Sequence, residues 1–134
     1  MANLEILRSI DIENIVRVAL SPYFTIYCPP LPAKFTTPSL EVSRVGGTDE
    51  NTIDTFEIVL DSRAESEADA EEQLRNAIGA LKAIAKSQTT ALRFVSVNTS
   101  GSWGADPVRP DLAMCSARLQ VIAHQENTTL TGGN

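Results

Sequence analysis

The sequence holds one histidine, two cysteines and no local cluster of lysine or arginine, and each shortage removes a class of function. A zinc site needs three or four Cys or His ligands at suitable spacing, and the single His124 has no such neighbours in sequence. Cys28 and Cys115 are too few for the disulfide framework of a small secreted domain, so both thiols are expected to be reduced. Eleven basic against 17 acidic residues give a net charge of −6. A protein that grips a phosphate backbone needs a basic face to release counterions, and tight nucleic-acid binding is therefore not expected. No apolar run approaches the length of a membrane span, and residues 1–5 show no basic-then-apolar leader pattern.

What is present suits one α+β domain over residues 1–124. At 134 residues, 43% hydrophobic and 21% charged, the chain has the size and balance of a single folded core. Ile12, Ile15, Val16 and Ala19 recur at helical spacing behind Asp11, a suitable N-cap. Leu4, Ile6, Leu7 and Ile10 are expected to add a turn or two before it. Residues 23–27, aromatic and β-branched, predict a short strand. The prolines at 29, 30, 32 and 38 then forbid a central strand or a helix, which leaves an extended surface connector.

Residues 40–45 and 53–61 alternate on either side of Gly46-Gly47 and a polar stretch, the pattern of a β-hairpin with a long tip. Phe56, Ile58 and Leu60 share one face. Ser66 opens the clearest helix, with Asp69 at the third position and acidic residues in its first turns. Its stripe of Ala70, Leu74, Ala77, Ile78, Leu81 and Ile84 should lie across the sheet. A third strand at 92–97, a polar loop containing Trp103 and Arg109, and a closing strand over 113–123 complete a mostly antiparallel sheet of about four strands. Val59, Val95 and Val97 are expected on its outer face. Residues 125–134 are expected to form a mobile polar tail.

Chemistry is sparse. His124 ends a strand before the polar tail and reads as a surface residue. A Cys115–His124 pair is the remaining nucleophilic option. The acidic run Glu65, Glu67, Asp69, Glu71 and Glu72 reads as stabilisation of a helix N-terminus rather than as paired catalytic carboxylates. Gly46-Gly47 lacks the Lys-Ser/Thr of a phosphate loop and sits between strands, so it reads as turn chemistry. Trp103, among small neighbours, is either tucked over the sheet edge or presented as a contact anchor. Arg109 is either a plain surface arginine or half of an ion pair across a subunit boundary. No catalytic residue, cofactor or metal is expected.

The segment Pro38-Ser39-Leu40-Glu41-Val42-Ser43-Arg44-Val45-Gly46-Gly47, the partner run Asp54-Thr55-Phe56-Glu57-Ile58-Val59-Leu60-Asp61, the Ala-rich helix over 66–86 and the loop 103–110 before a long closing strand resemble the tail-terminator family of long-tailed bacteriophages and prophages. The resemblance is one of layout over residues 38–123. It implies a structural, non-enzymatic protein that works as a homo-oligomeric ring, usually a hexamer. Such a ring caps the tail tube, ends its polymerisation and offers a surface to the head connector and neck proteins. It implies assembly in the host cytoplasm and then a place in the virion, at the head-proximal end of the tail. The candidate contact residues are Gly46, Gly47, Asp49 and Glu50 in one loop and Trp103 and Arg109 in the other, with the tail as a third element. An acidic lumen would let DNA pass without adhering. A head-completion or neck protein of the same fold is the nearest alternative. A small oligomeric enzyme or ligand-binding protein is the other, and it would need polar groups such as Arg93, Arg109 or His124 to converge on a pocket.

Overall fold

A computed structural model describes residues 2–49, 52–107 and 109–132; for residues 49, 99–103 and 105 the backbone alone is described. The order of elements is β1 (Asn3–Arg8), α1 (Ile12–Leu20), β2 (Ile26–Tyr27), β3 (Ser39–Asp49), β4 (Ile53–Ala64), α2 (Glu67–Ser87), β5 (Leu92–Ala105), β6 (Ala113–His124) and β7 (Glu126–Thr131). The fold is α+β. Its main sheet has five strands rather than about four, in the order β2-β3-β4-β6-β5. All pairs are antiparallel except the two-residue β2–β3 contact.

Both helices start where their caps dictate. Asp11 Oδ1 accepts the Asn14 N–H at 3.3 Å, and Ser66 Oγ accepts the Asp69 N–H at 3.2 Å. Each bond satisfies one of the orphan donors of a first turn. One face of α2 buries Ala70, Leu74, Ala77, Leu81 and Ala85 against Phe56, Ile58 and Leu60 of β4 and Leu119 and Val121 of β6, all fully buried. Val16 and Leu20 of α1 close the same core beside Leu40 and Val42. Each such aliphatic or aromatic side chain stabilises the fold by roughly 1.5–3 kcal/mol on burial.

Three expectations are corrected. Leu4, Ile6 and Leu7 extend no helix: they lie in β1, which pairs antiparallel with β7 from Asn3↔Thr131 to Arg8↔Glu126. Residues 126–131 of the segment expected as a mobile tail are therefore a strand, and β1 and β7 form a separate two-stranded ribbon. Val95 and Val97 do not face outward. A register shift between Leu92 and Phe94 places Leu92 and Val95 on the same, buried side, with Val95 and Val97 opposite Val121 and Leu119. One extra residue on one strand reverses the parity of everything after it. Phe94 is turned outward instead and is 56% exposed.

Candidate functional site

Gly46 and Gly47 do not end their strand. β3 runs through them to Asp49, with a register shift between Arg44 and Gly46. Gly47 has φ +136°, and a Cβ there would stand 2.3 Å from the Thr55 carbonyl oxygen. Glycine is thus required for the close approach of the two hairpin backbones. Gly47 lies opposite Phe56, whose ring carries the Arg44 guanidinium 4.8 Å from its centroid. The Asp49 backbone pairs with Asp54, while the Asp49 side chain and all of Glu50 lie outside the described residues.

Trp103 belongs to β5 rather than to a loop, and its backbone pairs with Cys115; its side chain lies outside the described residues. Arg109 forms an exposed ion pair with Asp111 at 2.8 Å. The guanidinium's hydrogen bond holds the Asp111 carboxyl below the usual carboxylate range. Arg109 also stands 6.0 Å from the Phe35 ring centroid.

Beneath it lies a cluster that sequence reasoning did not find. The Arg63 side chain is 5% exposed and donates to Asp106 at 2.7 Å and to Glu41 at 2.8 Å. Phe35, buried in the proline-rich connector, lies 5.5 Å from the Arg63 guanidinium. Burial by itself would make the guanidinium easier to deprotonate. The hydrogen bond it donates to Glu41 and the charge of Asp106 outweigh that and raise its pKa above the ordinary arginine value. The loop bearing Asp106 is closed by the Asp106 N–H on the Leu112 carbonyl at 3.1 Å and the Leu112 N–H on the Arg109 carbonyl at 2.9 Å. One buried cation therefore ties together the connector, β3, β4 and the β5–β6 loop. Its members come from four separate stretches of chain, and no local pattern announces them.

The candidate contact residues fall into two groups. Across β4, Gly47 aligns with Val121 of β6, whereas Trp103 aligns with Cys115. That separates the groups by ~20 Å along the strands. The residues an enzyme reading would need do not converge either. Arg93 and His124 stand at the end of the sheet where Leu92 pairs with Ala123, and Arg109 stands beyond the other end. Cys115 and His124 are separated by nearly the full length of β6, ~30 Å of extended strand, and form no pair. Burial raises the thiol pKa of both Cys28 and Cys115, with Glu13 and Glu71 adding to it respectively.

Among the described residues no group of three or more His, Cys, Asp and Glu is placed to hold a metal ion. Among them, no helix is long and apolar enough to cross a membrane. No protein-family model matches the chain, and no curated protein does either.

Proposed function

We propose that this protein is a structural subunit of a ring that caps the tail tube of a long-tailed phage or prophage, ends its polymerisation and offers the joining surface to the head. The observation that carries the reading is the division of the candidate contact residues between the two ends of one sheet, ~20 Å apart along the strands. A subunit that joins a tube on one side to a connector on the other needs two chemically separate ends. The far end of the β3–β4 hairpin, with Gly46, Gly47 and Asp49, provides one, and the region of Trp103 and Arg109 provides the other. The sheet between them is stiffened by a continuous apolar core and by the buried Arg63 cluster, as a mechanical part requires.

The remaining partners follow from this reading: other copies of the chain in a ring of about six, the tail-tube protein below, neck proteins above, and DNA passing through without tight binding. The net charge of −6 disfavours adhesion of a polyanion to the lumen wall.

The test is electron microscopy of particles from a host in which the gene is deleted, with and without complementation. Overlong tails without heads are the expected result. Tails of normal length that fail to join heads assign the chain to a neck protein of the same layout. Normal particles overturn the assembly reading altogether.

A further inference from the structure

Helix α2 divides the helix-bearing face of the sheet into two troughs of opposite charge. On the β5 side a groove of about 740 Å³ runs between the C-terminal half of α2 and the edge strand. A neighbouring recess of about 390 Å³ shares its Lys82 and Val97 and is floored by Leu74, Ile78 and Cys115. Lys82, Lys86 and Arg93 rim the groove, Arg75 extends the cationic rim, and Glu71 is the one acidic residue lining either hollow. On the other side of α2, towards α1 and the start of β3, a cleft of about 460 Å³ lies between Phe24, Pro38 and the N-terminal turns of α2. Among the described residues its charged lining is Glu65, Asp69 and Glu72, with no lysine or arginine.

Each trough flanks a different long side of the sheet. β5 is the terminal strand, hydrogen-bonded to β6 alone among the described residues. At the opposite side, among the described residues, β2 pairs only with Leu40 and Glu41. Beyond that point the β3 edge is not a plain template for another strand, because Glu13 Oε2 accepts the Arg44 N–H at 2.8 Å. A carboxylate placed on an edge amide is a device that discourages strand addition. Contact at this side therefore has to come through the helix face rather than through a continuous ladder.

Gly79 supplies an independent pointer. It sits in the interior of α2, where glycine weakens a helix relative to alanine. A Cβ added there would meet no atom within 4 Å, so packing within the chain does not demand glycine. Gly79 lines the apolar recess and leaves α2 backbone open to close approach from outside.

We propose that the cationic groove between α2 and β5 receives the start of α2 from a second copy of this chain, where the exposed Glu65, Asp69 and Glu72 form an acidic shoulder at the rim of the cleft. This rests on the ring reading and specifies which surfaces meet. Each chain carries one groove and one shoulder on the two sides of α2, and a head-to-tail contact sets the groove of one copy on the shoulder of the next. Such a contact propagates until it closes into a ring or extends as a filament. The apolar floor of the groove is covered in the process, and the opposed charges fix register and partner.

Charge reversal tests the contact. The groove variant K82E/K86E and the shoulder variant E65K/E72K change only exposed side chains, and circular dichroism verifies their folding. Sedimentation velocity at high protein concentration and low salt is expected to show wild-type oligomers that dissociate between about 0.05 and 0.5 M salt. Each variant alone should associate at least about tenfold more weakly. An equimolar mixture of the two should regain assembly, because every groove then faces a shoulder of opposite sign. Gly79→Gln should fold normally and fail to assemble. Variants that assemble alone as well as the wild type, or a mixture that is not rescued, overturn this contact while leaving the ring reading intact. A wild-type chain that stays monomeric throughout also overturns the contact, and the deletion phenotype then decides the ring reading by itself.

Discussion

Arg63 is the residue whose loss the fold should feel most. Its guanidinium is almost completely buried between Asp106, which is fully buried, and Glu41. Removing one partner of such a cluster leaves uncompensated charge in a poorly solvated site, which costs roughly 3–5 kcal/mol. Arg63→Met should lower unfolding stability by about that amount in urea titration, and R63K by less, since an ammonium can still reach one carboxylate. The exposed pairs Arg8–Glu126 and Arg109–Asp111 are a contrast, because solvent screening leaves such pairs little net effect. The two thiols give a pH prediction. Their folded pKa values lie above the ordinary one because burial disfavours the thiolate. The folded protein therefore retains these protons where the unfolded chain has lost them. Stability from this source is fully present below about pH 8.5 and is lost as the pH rises through the folded values. Chemical denaturation in a pH series should show a decline above that point, and the C28S/C115A variant should show less of it.

Among the elements, the β3–β4 hairpin depends on one glycine rather than two. Gly47→Ala places a Cβ against the Thr55 carbonyl at a positive φ and should cost at least about 1–3 kcal/mol. Gly46→Ala meets the carboxylate end of Glu57 at 3.3 Å and its Cβ at an ordinary contact distance of 3.7 Å, and should be nearly neutral by the same urea titration. The dipeptide marks a special place in the sequence without telling which residue needs the freedom, because that depends on where the facing strand comes close. The caps of both helices were legible, Asp11 and Ser66, and the α2 stripe lies on the sheet as its spacing requires, whereas the extra turns expected from Leu4 to Ile10 are not helical. The edge strand β5 was legible only in part. Its first six residues alternate, but the register shift after Leu92 reverses which side each residue faces, and no local pattern signals it.

On the scale of the whole molecule, the β1–β7 ribbon stands apart from the five-stranded sheet. Leu4, Leu7 and Leu130 on it are each about half exposed. A lone two-stranded ribbon is at best marginally stable and adds little to the core. Deleting residues 126–134 should therefore change the stability of the remaining domain by less than about 1 kcal/mol, measured by thermal or urea unfolding. A larger loss would mean that the ribbon braces the sheet.

By itself the sequence determined the α+β class, the caps of both helices, and the inward faces of β4 and β6. Each of these depends on residues within a turn or a strand of one another. Only the tertiary structure decided the rest: the pairing of the two terminal segments, the Arg63–Asp106–Glu41 cluster, the inward turn of Val95 and Val97, and the opposite charges on the two sides of α2. These bring together groups far apart in the chain, and no local periodicity records which distant segment will arrive to pair a strand or neutralise a buried charge.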